Sequence, residues 1–239
     1  MLDHTSAKPL YAQMEELIRE NLETGKWAPG SIIASENELS REHGISRMTV
    51  RNVITKLVQE GLLFRIPGKG TYVAEPKIVA KSLSYAGIRE QLEQMGYEVS
   101  TKLLDITCTK GTKEMCDRFG VGQNSLFYVI RRLRYIKAEP LSVHTSYIPI
   151  SLCPGLEKLD LVSEQLCKVL SKEYGLNRNR TQETLESVAA TKEDAKILNI
   201  SPGHPLLLLH DTIMEENGKP FEYASVLFRG EKIKLKLEF

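Results

Sequence analysis

Two stretches of this chain, 79 residues apart, follow one plan, and that near-repeat constrains the fold more than any other feature. "TKEMCDRFGVGQNSLFYVIRRLRYIKAEPLSVHTSYIP" begins at residue 112 and "TKEDAKILNISPGHPLLLLHDTIMEENGKPFEYASVLFRG" at residue 191. Each reads as a capped short helix, then an alternating strand, a turn and a second strand. The offset holds until a one-residue insertion in the second turn. Alternating segments around 98–108 and 180–190 precede the two copies and add a strand to each half. Two copies are too few for a solenoid. The pattern predicts an α+β domain, a mainly antiparallel sheet built from two similar halves, with extra helices near 85–95 and 161–174. Halves of this kind often leave a cleft where they meet.

The repeat also supplies an internal control. In "LFYVIRRLRYI", strand alternation projects Arg132 and Arg134 from the same face as Tyr128 and Ile130. Two guanidiniums side by side on a sheet face are unfavourable unless an anion or carboxylate lies between them. The matching positions of the second copy are Asp211 and Ile213, so the fold itself does not require basic residues there. Two partners remain open: a phosphate or carboxylate held through bidentate hydrogen bonds, or an internal salt bridge to Glu186 or Glu222.

Ahead of this region the helical signals are stronger. Leu10, Met14, Leu17, Ile18 and Leu22 fall at helical spacings, with Gly25 as a stop. Ser35, followed three residues later by Glu38, forms a capping box that opens a second helix, and Gly44 closes it. Ser46 then caps a third helix whose Val50, Val53, Ile54, Leu57 and Val58 make one buried stripe, leaving Arg47, Thr49 and Arg51 off it. Two helices joined by "HGIS", the second opening with Arg and Thr, make a helix-turn-helix signature, in which such residues reach base edges in the major groove. "LLFRIPGKGTYV" adds two short strands around "PGKG", a hairpin tipped by Lys69. "GKG" here is not a P-loop, because the G-x-x-x-x-G-K-[ST] pattern is missing.

Charge qualifies this reading. Over residues 1–75 the chain has nine basic and ten acidic residues, a net of −1. Within 41–71, however, Arg41, Arg47, Arg51, Lys56, Arg65 and Lys69 face only Glu42 and Glu60, a net of +4. Positive charge is therefore confined to the third helix and hairpin. The start of the chain has no basic segment leading into an apolar run, and no window approaches eighteen apolar residues, so a soluble cytoplasmic protein is expected. Cys108, Cys116, Cys153 and Cys167 form no C-x-x-C pair and read as free thiols. The five histidines fall in no metal-ligand spacing, no G-x-S-x-G elbow exists, and neither metal nor cofactor is expected.

Residues 8–73, through "PLYAQMEELIRENLETGKWAPGS", "SENELSREHGISRMTVRNVITKLVQEGLL" and "RIPGKGTYV", resemble the winged helix-turn-helix head of the GntR family of bacterial transcription regulators. The resemblance implies that Arg47, Thr49 and Arg51 read bases or phosphates and that Ser46 touches phosphate. It also sends a wing tip of Gly68, Lys69 and Gly70 into the adjacent minor groove and puts Ser35 in the DNA-binding set. The family commonly has Pro before the Ser-Glu pair and Arg two residues after that Ser. Here they are Ala34 and Asn37, so one expected DNA contact is altered.

Residues 82–239 are similar to the UTRA effector domain of the HutC-type GntR subfamily, whose fold resembles chorismate lyase. "RRLRYIKAEPLSVHTSYIP", "ESVAATKEDAKILNISPGHPLLLL" and "GKPFEYASVLFRG" carry the likeness. It implies an anion-gripping Arg132 and Arg134, a Ser84 hydroxyl near a phosphate, a Glu222 carboxylate for sugar hydroxyls and a lining Arg180. His144 replaces a family glutamate, Phe228 a tyrosine, and Gln165–Cys167 a Ser-Leu-Tyr run, so the anion end is kept while the specificity end has changed. The expected organisation is a DNA-binding domain over 1–75, a linker over 76–84, and a ligand-binding and dimerisation domain over 85–239. The expected function is a homodimeric regulator, a repressor of a palindromic operator in double-stranded DNA, controlled by a small anionic metabolite such as a phosphorylated sugar. A ligand-independent DNA-binding dimer and a metabolic enzyme with a DNA-binding head are the alternatives.

Overall fold

The structure, a computed structural model, describes residues 2–80 and 88–236. The chain divides into two compact units, one up to Lys77 and one from Ile78.

In the first unit, α1 (Leu10–Glu23), α2 (Glu36–His43) and α3 (Arg47–Gln59) precede a hairpin of β1 (Leu63–Ile66) and β2 (Gly70–Val73). The apolar stripes converge: Met14, Ile18, Leu39, Val50, Ile54, Leu57, Leu63 and Val73 form one buried cluster. Burying each such side chain contributes about 1.5–3 kcal/mol. The capping box forms in full, Ser35 Oγ accepting from the Glu38 amide at 3.3 Å and Glu38 Oε2 from the Ser35 amide at 2.8 Å. Gly44 ends α2 in the left-handed region (φ 65°), which lets the chain reverse into α3 within two residues. Ser46 Oγ caps α3 by accepting from the Thr49 amide at 3.1 Å.

The second unit is a six-stranded antiparallel sheet of β4 (Val99–Lys110), β5 (Leu126–Ile136), β6 (Glu139–Pro149), β7 (Arg180–Ala189), β8 (Pro205–Met214) and β9 (Pro220–Arg229). Their order is β4-β5-β6-β9-β8-β7, with each half contributing three consecutive strands and the inner strands meeting at the centre. The two similar halves and the antiparallel pairing are those that the near-repeat predicts. Helices α5 (Lys113–Phe119) and α7 (Lys192–Leu198) stand at equivalent places, each capped by its Thr, Thr112 and Thr191. They pack on one sheet face, α5 over Phe127 and α7 over Leu133, Val143 and Leu206.

The other face is covered at both ends. Helix α6 (Leu166–Tyr174) and the turns at 150–161 bury Tyr128, Ile130, Ile148 and Ile213. Helix α4 (Ile88–Gln94) and a two-stranded parallel ribbon of β3 (Ile78–Ala80) and β10 (Ile233–Leu235) bury Leu141, Leu209, Val226 and Phe228. Residues 78–80, expected to be linker, thus form a strand, because Ile78 and Ala80 bury while pairing with Ile233 and Leu235.

Candidate functional site

In the first unit, an open groove of about 830 Å³ lies between the starts of α2 and α3 and the hairpin. Six of the expected DNA-binding residues, Ser35, Arg47, Arg51, Gly68, Lys69 and Gly70, line it together. Ser46 and Thr49 do not. Their hydroxyls bond to each other at 2.8 Å, and Thr49 borders a separate concavity with Tyr11, Asn52 and Lys56. Two further lining residues were not singled out from sequence, Glu36 and Arg65. Glu36 Oε2 lies 3.3 Å from Arg51 Nε and its Oε1 2.9 Å from an Arg65 Nη, so one carboxylate ties the recognition helix to the hairpin. Arg47 and Lys69 are exposed and make no ion pair among the described residues. A groove with two free cations, two tethered arginines and a hairpin rim suits a phosphate backbone and a base edge beside it.

In the second unit, strand register lays polar side chains in rows on the face between the two apolar covers. Arg134 stands opposite Ser142, Arg132 opposite His144, and Ile130 opposite Ser146 on β6. Continuing across the sheet, Ser146 pairs with Ala224 of β9, which pairs with Asp211 of β8, and Ile213 stands opposite Glu222. Arg132, Arg134, His144, Ser146, Asp211 and Glu222 line one small cavity, roofed by Gln165, Leu166 and Cys167 at the start of α6 and flanked by Arg178. No side chain caps the N-terminus of α6. Its unpaired amides add a positive end to the roof.

The two arginines are 8% exposed and form no ion pair with a carboxylate among the described residues. Arg132 Nη2 donates to Ser146 Oγ at 3.0 Å, and Ser146 in turn donates to Glu222 Oε1 at 2.6 Å. The Nε atoms of both arginines are buried and have no hydrogen-bond partner among the described residues. Burial lowers the Arg132 pKa against the pull of Glu222, and burial with the neighbouring Arg132 and Arg89 brings Arg134 down to about 9. At about 9, the Arg134 guanidinium remains charged at neutral pH. Burial and the two guanidiniums push the His144 pKa well below the usual imidazole range. A neutral His144 shares a hydrogen bond with Ser142 Oγ at 2.9 Å. Of the internal partners open at the sequence level, Glu222 reaches Arg132 only through Ser146, and Glu186 lies beside His210, 3.9 Å away. Among the described residues no carboxylate therefore pairs directly with either guanidinium, an arrangement that suits an anion.

Three expected residues of this site fall elsewhere. Phe228 is fully buried behind the cavity, its ring edge-on to His144 with centroids 6.0 Å apart. Arg180 is exposed at the start of the edge strand, and the arginine that reaches the cavity is Arg178, two residues earlier. Ser84 lies outside the described residues.

Comparison with known proteins agrees with both halves of this picture. The pattern "Bacterial regulatory proteins, gntR family" matches residues 10–73, and that of the UTRA domain matches 94–234, more than half of the chain. The "HTH-type transcriptional repressor NagR" of Bacillus subtilis (strain 168) is 32% identical over 231 residues, covering 97% of this chain and 95% of that protein. The "Mannosyl-D-glycerate transport/metabolism system repressor MngR" of Escherichia coli (strain K12) is 25% identical over 230 residues, covering 96% and 95%. The crystal structure of PhnF from Mycobacterium smegmatis superposes with a TM-score of 0.67 at 19% identity, covering 94% of this chain and 98% of that one, a likeness of fold. The chain belongs to the GntR family of bacterial transcription regulators, with a winged helix-turn-helix head and a UTRA domain behind it.

Proposed function

We propose that this protein is a homodimeric repressor that holds a palindromic operator through its heads and releases it when a small anionic metabolite, of the phosphorylated-sugar kind, enters the UTRA cavity. The observation that carries the ligand half is the buried Arg132–Arg134 pair, which has no carboxylate of its own. Relatives named as transcriptional repressors, one of them of a mannosyl-D-glycerate transport and metabolism system, support the operator half. Two copies of the head on one face of a duplex, about one helical turn apart, would read a two-fold symmetric site.

A ligand changes DNA affinity only by binding one state of the protein better than another. The cavity encloses about 90 Å³, well below the roughly 300–1,000 Å³ of ordinary ligand pockets. A sugar phosphate exceeds that volume, so the ligand would select a form in which the cavity is wider. DNase footprinting of the promoter beside the protein's own gene, with and without hexose phosphates, tests this reading. A protected palindrome that fades with ligand is expected. Absence of any protected palindrome would refute the regulator reading, and protection indifferent to every anion would refute the ligand half.

A further inference from the structure

We propose that Glu36 is a positioning residue for DNA reading: its carboxylate, set inside the groove of the head, holds Arg51 and Arg65 back from arbitrary phosphates and so widens the preference for the operator over other sequences. This rests on reading that groove as the DNA interface.

A carboxylate is out of place there. Glu36 lines the groove together with Arg47, Arg51, Arg65 and Lys69, four cations that suit a polyanion, and its own charge repels one. The start of α2 favours an acidic residue, yet Glu38 sits in the same first turn and closes the capping box. What sets Glu36 apart is where its oxygens go. The side chain is 27% exposed, with Oε2 3.3 Å from Arg51 Nε and Oε1 2.9 Å from an Nη of Arg65. A carboxylate occupied on both oxygens is not placed to accept from a cytosine edge, the base contact open to a glutamate.

The two arginines are held in different ways. The Arg51 pair uses Nε and leaves the two Nη groups as a fork that can meet guanine O6 and N7 end-on. The Arg65 pair uses an Nη that also donates to Thr55 Oγ1 at 3.3 Å, which draws this guanidinium back against α3.

The consequence differs between the two kinds of DNA. Binding to arbitrary sequence comes almost wholly from phosphate neutralisation. There Arg65 and Arg51 engage a phosphate only by leaving Glu36 or by bringing its negative charge up to the phosphate. On the operator the Arg51 fork meets its base with the ion pair intact. The carboxylate thus weakens the first kind of binding and spares the second.

Fluorescence anisotropy of the full-length protein over a salt series tests this with two labelled probes: a duplex selected from a random pool by the wild-type protein, and a shuffled duplex of the same length and composition. Glu36→Gln keeps the shape of the side chain and removes its charge. It should bind the shuffled duplex about tenfold tighter at about 0.1 M salt, the effect of one further released counterion, and steepen the slope of log K against log salt by about one. Affinity for the selected duplex should change by less than about threefold, because its base contact is already made. Glu42→Gln removes the same charge from an exposed site on the same helix, outside the groove, and should leave the ratio of the two affinities unchanged. Adding Arg65→Gln to Glu36→Gln should take back the steeper slope, because Arg65 is the cation released. With Glu36 in place, Arg65→Gln should lower the slope on the shuffled duplex by less than Lys69→Gln does. Equal effects of Glu36→Gln and Glu42→Gln, or of Arg65→Gln and Lys69→Gln, would overturn the proposal. Loss of affinity for the selected duplex with no gain on the shuffled one would overturn it too, making Glu36 a structural or base-reading residue. A wild-type protein that selects no duplex would instead overturn the operator reading itself.

Discussion

Arg134 is the residue where function and stability oppose each other most directly. Its guanidinium is buried beside a second one, with an unpartnered Nε and a pKa drawn down to about 9. Even a buried ion pair is often replaced by apolar side chains of similar volume with a gain of about 1–4 kcal/mol, and a buried charge without a directly paired carboxylate has less to lose. Arg134→Met should therefore raise the free energy of urea unfolding of the unliganded protein, and it should remove stabilisation by any anionic ligand. A destabilised Arg134→Met variant would show that the charge is compensated within the fold. That the two arginines share a face was legible in the sequence because a period of two fixes it, and Asp211 and Ile213 at the matching positions of the repeat showed that the fold itself does not require basic residues there, with an internal salt bridge left open. Arg178 was not legible. It precedes the first paired residue of β7, where alternation has not begun, so the resemblance pointed instead to Arg180 on the exposed edge. Asp211 was visible only as a contrast to Arg132, because its place in the same cavity depends on β6 and β9 meeting at the centre of the sheet.

At the scale of elements, the hairpin of the head hangs on a backbone conformation that favours glycine. Gly70 has φ 135°, and a Cβ there would meet Ile32 Cδ1 at 2.9 Å. The neighbouring backbone bonds, Ile33 N–H to Thr71 O and Val73 N–H to Ser31 O, both 2.9 Å, fasten the hairpin to the segment before α2. Gly70→Ala should cost about 1–3 kcal/mol of local strain. Its mark would be faster hydrogen exchange at the Ile33 and Val73 amides, with the amides of the β5–β6 ladder unchanged. Unchanged exchange at Ile33 and Val73 would mean that the hairpin yields without strain. The helices and this hairpin were readable from caps and periods, since Ser35, Glu38, Gly44 and Ser46 each act within four residues. The β3–β10 ribbon was not, because three residues after Pro76 carry no measurable period and their partners lie more than 150 positions away.

For the whole molecule, the distribution of charge matters more than its total. A net charge of +1 hides a segment of +4 within a head of −1. On the proposed reading such a head would make few phosphate contacts, and its hold on DNA would rest on base readout and on pairing two copies over one site. A repressor built this way can be released by a modest coupling energy of about 1–3 kcal/mol. In the proposed mechanism Arg132, which lines the cavity of the UTRA unit, would carry that coupling at the ligand end, whereas the groove belongs to the head. The most direct test is fluorescence anisotropy of a labelled operator duplex, titrated with wild type and Arg132→Ala in the presence and absence of a saturating anionic ligand found by calorimetry. The account predicts equal operator affinity for the two proteins without ligand. With ligand, it predicts a loss of about 5- to 150-fold for wild type alone. An Arg132→Ala protein that still lets go at the same ligand concentration would contradict it.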